Sequence, residues 1–344
     1  MRRRVKTLCV FISVLLIVFS FSGVNAQNVH DTTTNAENDD EDSTLKATAL
    51  KNFTGVALRD VIYTTKKNVQ DVQQPLGMDI YKPPEADGKK FPLVLLIHGG
   101  GFKRGTKKPL GIVCAALAER GYVAATIDYR LGWGGTRKVC SADTVQLKQA
   151  IYRALQDAHS ALHFLMEHAD EYSIDRDSVF IGGGSAGAVT ALFTAYLTQQ
   201  EADVYFTGLS KTMGPLDDST HDVNSAYKLQ GIISMWGAYA DPQLITSANA
   251  LPTIFFHGKK DQTVPFNFGP IIPCPDASVI YGTYPLYNRL KELGITAIAH
   301  VDPEGGHGVF SLDFRVANIL CFLSDVRAGN KKEIYLEGEQ SSCN

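Results

Sequence analysis

Six short apolar runs, separated by helical stretches, constrain the fold of this chain more than any other feature. They are PLVLLIHGG, YVAATIDYR, SVFIGGG, GIISMWG, PTIFFHG and TAIAHV, and they are mostly continuous rather than alternating. A strand that is apolar at nearly every position has both faces buried, the condition of a strand inside a parallel sheet. Between the runs, LGIVCAALAERG stops at Gly121, a residue suited to ending a helix. The long stretch TVQLKQAIYRALQDAHSALHFLMEHADEY places Leu147, Ile151, Leu155, Ala158 and Leu162 on one helical face. GAVTALFTAYLTQQ, YGTYPLYNRLKELG and FSLDFRVANILCFLSDVRAG continue the alternation, which predicts a parallel sheet with helices on both faces.

Two alternating segments come first, DVIYTT and LGMDIYKP, and read as antiparallel strands with one wet face, giving an eight-stranded, mostly parallel sheet. No boundary divides residues 51–330, which are expected to form one domain, with 331–344 as a C-terminal tail. Residues 205–228 fit the alternation poorly and are expected to pass over one edge of the site. Sheets of this kind bind ligands at the carboxyl ends of their strands, so the informative residues should directly follow strands.

The two ends of the chain carry a different signal. Arg2, Arg3, Arg4 and Lys6 form a positive head, residues 8–21 are almost wholly apolar, and Val24-Asn25-Ala26 offers small residues for cleavage. An apolar stretch of about 14 residues is short for a membrane span of about 20. The pattern predicts a signal peptide over 1–26, export to the periplasm or outside the cell, and no stable membrane insertion afterwards. Residues 27–50 are polar, acidic and free of aromatic residues, which predicts a flexible leader. The net charge of −3 provides no basic field and argues against a nucleic-acid partner.

Export leaves Cys114, Cys140, Cys274, Cys321 and Cys343 of the six cysteines, an odd count that permits at most two bridges. Cys140 and Cys274 sit in Gly- and Pro-rich loops and form one candidate bridge. Cys321–Cys343 would tie down the tail, and Cys114 lies at helical spacing as a small apolar residue.

Chemistry concentrates after the strands. Gly183-Gly184-Ser185-Ala186-Gly187 fits G-x-S-x-G between a strand and a helix, a turn so tight that side chains two positions either side of the serine would collide. Ser185 is then held in a strained conformation beside a helix N-terminus, with its hydroxyl exposed. A phosphate-binding loop would need a Lys-Ser/Thr ending or a G-x-G-x-x-G opening the first βα unit, and neither is present. His98-Gly99-Gly100-Gly101-Phe102 follows the third strand, and its glycines allow backbone N–H groups of Gly100 and Gly101 to aim inward. With the N–H of Ala186 they could receive a developing oxyanion. His98 itself reads as a loop-holding residue. Asp261 in HGKKDQTVP follows the seventh strand and His307 in GGHG follows the eighth, giving the chain order Ser, Asp, His.

Over residues 55–327 the chain resembles the α/β-hydrolase esterases, through HGGGF, IDYRL, GGSAG, HGKKDQTVP and GGHG. It looks like the carboxylesterase/lipase branch, and among those like exported feruloyl and acetylxylan esterases with little or no cap. Gly184 departs from the hormone-sensitive-lipase type, where Asp is frequent before the serine. The acid loop H-G-x-x-D-x-x-V-P is similar to dienelactone-hydrolase-like and peptidase-like members.

The resemblance implies two-step acyl transfer by Ser185, His307 and Asp261 on a small-molecule or polymer-borne ester, of acetyl or feruloyl type, without a cofactor. A lipase, a polyester hydrolase or a serine peptidase of the same fold is the alternative. His159 and His163 have the spacing of a metal pair, but HSALH lacks the glutamate of H-E-x-x-H, so no metal site is expected. His257 reads as a local packing or bonding residue. Phe102, Trp236 and Tyr239 are the expected pocket residues, with Tyr129, Trp133 and Phe266 close to the motifs.

Overall fold

The computed structural model describes residues 53–84, 88–134, 140–221, 226–272, 274 and 277–343, the side chains of 140–143 excepted. The expected signal peptide and acidic leader lie outside the described residues. Among the described residues, no helix is long and apolar enough to cross a membrane.

The chain opens with β1 (Val56–Lys67) and β2 (Gln73–Lys82), which pair antiparallel, as their alternating patterns predict. β3 (Phe91–Ile97) leads to α1 (Gly111–Ala118), and β4 (Val123–Ile127) to α2 (Cys140–Glu167). β5 (Ile174–Gly184) feeds α3 (Ala186–Tyr196), and the short α4 (Gln199–Tyr205) and α5 (Leu209–Met213) follow. After β6 (Leu229–Met235) and β7 (Thr253–Gly258), a hairpin of β8 (Phe268–Pro270) and β9 (Val279–Tyr281) stands apart from the main sheet. α6 (Thr283–Glu292), β10 (Ala297–Asp302), α7 (Leu312–Arg327) and β11 (Glu333–Glu337) complete the chain.

The main sheet runs β1-β2-β4-β3-β5-β6-β7-β10-β11. It is parallel from β4 onward and antiparallel where β2 meets β1 and β4. The continuous apolar runs have a direct explanation here. In β3, Leu93, Leu95 and Ile97 enter one core with α2 and α3, while Val94 and Leu96 enter a second core with α1 and α7. Successive side chains point to opposite faces, so two helical layers require every position to be apolar. Each such side chain contributes about 1.5–3 kcal/mol on burial.

The sheet has nine strands where eight were expected. The extra strand is β11, which pairs parallel with β10 from within the segment read as a tail. Only Ile334, Tyr335 and Leu336 are apolar there, with Glu333 and Glu337 at the ends, too short a run to stand out from a tail. A disulfide between Cys321 on α7 and Cys343 closes this edge, so the domain extends well past residue 330. Cys114 is a buried free thiol. Cys274 is disulfide-bonded, and the side chain of Cys140 lies outside the described residues.

Of the segment 205–228, residues 222–225 lie outside the described residues. Residues 205–221 are tied to α2 and β1, where His163 bonds Asp217 at 2.7 Å, Lys66 pairs with Asp218, and His221 bonds Glu167 at 2.6 Å. The alternation gave no signal for these polar ties, because each depends on a partner remote in sequence.

Candidate active site

β3 sits between β4 and β5, the point where the chain reverses its direction of travel across the sheet. A crevice opens there beyond the carboxyl ends of the strands. The HGGGF loop leaves β3 and the serine turn leaves β5, so both flank this crevice. Asp261 follows β7 and His307 follows β10 on the same rim.

The serine turn is compressed against its neighbour strand. A Cβ on Gly183 would lie 2.3 Å from the Ile97 carbonyl oxygen, and one on Gly187 would lie 1.9 Å from the same atom. A Cβ on Gly183 would also meet the Gly187 carbonyl carbon at 2.7 Å. The two glycines are therefore required as much by the end of β3 as by each other. Ser185 adopts φ 54° and ψ −121°, in the left-handed half of conformational space that a serine rarely occupies. Its own N–H donates to the Met235 carbonyl at 2.9 Å, and its carbonyl accepts the first bond of α3, from Val189.

Ser185 Oγ lies 2.9 Å from His307 Nε2, and His307 Nδ1 lies 2.7 Å from Asp261 Oδ2. The Asp261 side chain is wholly shielded from solvent. Burial opposes its charge. Hydrogen bonds from His257 and His307 and from the N–H groups of Val264 and Thr263 outweigh that, and hold the carboxyl well below the usual carboxylate range. An ionised Asp261 can only accept, which sets the His307 proton on Nδ1 and leaves Nε2 to accept from the serine hydroxyl.

A second histidine braces the acid, a role that sequence reasoning missed. His257 Nε2 faces Asp261 Oδ2 at 3.2 Å and the Val264 carbonyl at 3.1 Å, while Nδ1 meets Thr283 Oγ1 at 2.9 Å. With two acceptors before it, Nε2 carries the proton. The only trace in the sequence is a histidine four residues before the acid at a strand end.

The Gly100 carbonyl accepts from the N–H groups of Lys103 at 3.1 Å and Arg104 at 3.2 Å. A trans peptide then directs the Gly101 N–H the opposite way. Gly100 and Gly101 have φ of 111° and 61°, and a Cβ on Gly100 would fall 2.0 Å from the Arg104 carbonyl oxygen. The N–H of Ala186, in the first turn of α3, has no acceptor within the helix. Gly100, Gly101 and Ala186 thus border Ser185, in one or other of the cavities described below.

His98 bonds within its own loop. Its Nδ1 lies 2.6 Å from the Gly99 carbonyl, and its ring stacks on Tyr129 with centroids 4.4 Å apart. Burial pushes its pKa down, so it stays neutral. The IDYRL motif proves to be the brace for this loop. Tyr129 Oη donates to the His98 carbonyl, Asp128 accepts from the Lys107 N–H, and Arg130 is buried against Asp157 through a nitrogen–oxygen contact of 2.8 Å.

Two cavities meet at Ser185. One is an open cleft of about 970 Å³ that includes His307, Gly99–Gly101 and Trp236. The other is a much smaller chamber of about 80 Å³, walled by Phe102, Trp133, Leu147, Val189, Val264 and Ile272 among others. Trp236 lines the cleft and Phe102 the chamber. Tyr239 lines neither: it is fully buried, pairs its backbone with Tyr281, and packs on Phe193 at 5.0 Å. Its place just past β6 suggested the pocket, but the hairpin pairing turns it into the core. Phe266 packs edge-on to His257, behind the acid loop.

Comparison with known proteins finds esterases among those similar to parts of this chain. Residues 78–243 match the BD-FAE family model, a span that includes the glycine loop and Ser185 but ends before Asp261 and His307. Gut esterase 1 of Caenorhabditis elegans is 32% identical over 117 residues, 33% of this chain and 20% of that protein. A probable isoprenylcysteine alpha-carbonyl methylesterase of Arabidopsis thaliana is 26% identical over 231 residues, 59% of this chain and 45% of the relative. The chain thus spans less than half the length of these curated relatives. Among solved structures, Thermogutta terrifontis esterase 2 phosphorylated by paraoxon superposes with a TM-score of 0.55 at 19% identity, over 80% of this chain and 95% of the other.

Proposed function

We propose that this chain, an α/β-hydrolase by its fold, hydrolyses carboxylic esters through a covalent acyl-Ser185 intermediate. The observation that carries the proposal is the unbroken hydrogen-bond line from Ser185 Oγ through His307 to the shielded Asp261. As Oγ attacks the ester carbonyl, its proton moves to His307 Nε2, and Asp261 stabilises the imidazolium that results. The carbonyl oxygen takes up negative charge against the N–H groups of Gly100, Gly101 and Ala186, where a single donor is worth about 2.7–4 kcal/mol. His307 then returns the proton to the departing alkoxide, breaking the carbon–oxygen bond. Water, deprotonated by the same nitrogen, releases the acid and restores Ser185.

The two cavities support separate places for the two halves of the substrate. A general acid must reach the leaving oxygen, and His307 borders the larger cleft but not the smaller chamber. The alcohol therefore occupies the cleft and the acyl group the chamber. A space of about 80 Å³ holds roughly two to three water volumes, which suits an acetyl to butyryl group. A feruloyl group would have to lie in the cleft instead. On 4-nitrophenyl esters, kcat/KM should peak between acetate and butyrate and fall at least about tenfold by octanoate, as overpacking costs about 1–3 kcal/mol. An octanoate preferred over butyrate would reverse the assignment of the two cavities.

We also infer export. The positive head and apolar run of residues 1–26 motivate it, and the Cys321–Cys343 disulfide supports an oxidising compartment. Expressed from its full sequence in a secreting host, the protein should appear outside the cytoplasm with its N-terminus at Gln27. Retention in the cytoplasm with Met1 in place would refute this.

A further inference from the structure

The open cleft is lined by three cations, Lys103, Arg104 and Arg315, and by no aspartate or glutamate among the described residues. This positive lining is local, because the chain as a whole carries a net charge of −3. The cations come from two directions. Lys103 and Arg104 are held by the Gly100 carbonyl, on the same turn that carries the oxyanion-facing glycines. Arg315 stands in the first turn of α7, just past the His307 loop.

Two of these heads are braced by aromatic rings. Arg315 Cζ lies 5.1 Å above Trp236, with Nη1 3.5 Å from Met235 Sδ and Nε 3.4 Å from the Ser311 carbonyl. Lys103 Nζ lies 4.9 Å above Trp133. A guanidinium stacked in this way loses less freedom when it binds, and its fork matches a carboxylate. Arg104 is solvent-exposed, and among the described residues no carboxylate lies within ion-pair distance of it. Among the described residues the charged lining of the cleft is of one sign, which concentrates ligands of the opposite sign.

We propose that the cleft selects esters whose alcohol portion carries a carboxylate, bound by Arg104 and Arg315 with Lys103 adding charge. The proposal rests on the ester-hydrolase reading above and on the placement of the alcohol beside His307. Such an alcohol is an acidic sugar or a hydroxy-aryl acid, and the product leaves as the free hydroxy acid.

The test compares 4-acetoxybenzoate with its methyl ester, which share the acetyl group and differ in one negative charge. The anionic ester should be preferred at least about tenfold in kcat/KM at low salt, although its phenolate is the poorer leaving group. Raising the salt should shrink the preference, since these charges are partly solvent-exposed. In the Arg104→Gln/Arg315→Gln double variant the ratio of the two kcat/KM values should fall to about one, and Arg315→Lys should restore part of it. A native ratio at or below one overturns the proposal while leaving the ester reading intact. A ratio unchanged in the double variant overturns the assignment to these arginines. Hydrolysis of neither ester would remove the ester reading, and this proposal with it.

Discussion

Replacing Ser185 with alanine is expected to lower kcat on 4-nitrophenyl acetate by about a million-fold, with no change in melting temperature beyond a degree or two. The substitution deletes one atom, Oγ, whose hydrogen-bond partner is His307 Nε2. Alanine keeps the Cβ, and the turn that holds it is enforced from outside the residue by the Ile97 carbonyl against Gly183 and Gly187. The backbone bonds to Met235 and from Val189 also remain. Fold and activity are therefore separable at this position. An organophosphate that phosphorylates activated serine hydroxyls, such as paraoxon, provides an independent readout. Mass spectrometry should find one phosphoryl adduct on Ser185 in the native protein and none in the variant. A variant that keeps a tenth of native activity would remove Ser185 from the mechanism.

Changing Asp261 to asparagine should cost about ten-thousand-fold in kcat with the structure preserved. Asp261 Oδ2 receives both His307 Nδ1 and His257 Nε2, and an ionised carboxylate offers only acceptors there. An amide can donate from one end. It then accommodates His307 with the proton on Nε2, and that nitrogen can no longer accept from Ser185. The same substitution carries a pH signature. Because the folded carboxyl titrates well below its usual range, its ionisation stabilises the fold at pH above the ordinary carboxylate value near 3.9. That contribution fades as the pH falls through the ordinary value and is gone below the folded one. Acid should accordingly lower the melting temperature of the native protein more than that of the asparagine variant. Thermal melts between pH 3 and 7 measure the difference, and parallel slopes would mean that Asp261 is not the ionised acceptor described here.

That Ser185, Asp261 and His307 would share one rim of the sheet was legible in the sequence for one reason. A parallel sheet exposes the residue that follows each strand, so position in the chain stands in for position on the rim. That logic has limits, and Tyr239 marks one of them. It lies four residues past the end of β6, yet its backbone pairs with Tyr281 and its ring faces Phe193 in the core. A loop's place in the order does not say which way its side chains turn. β11 was missed because three apolar residues between two glutamates carry too little pattern to separate a strand from a tail. The bracing of Asp261 by His257 depends on the acid loop folding back against its own strand, and the cationic lining joins residues from opposite ends of the domain. Both arise from tertiary contacts that leave no periodic trace.

The Ile97 carbonyl, wedged between the two glycines of the serine turn, has a consequence for how such a molecule can diversify. The strand that ends there also launches the loop bearing Gly100 and Gly101, so the Ser185 turn and this loop are gauged from a single fixed point. Walls contributed by other segments, such as Trp236, Ile272 and Arg315, can then be exchanged without disturbing that gauge. The scaffold behaves like a machine tool with a rigid spindle and interchangeable jaws, and selectivity is free to drift while the reaction stays in alignment.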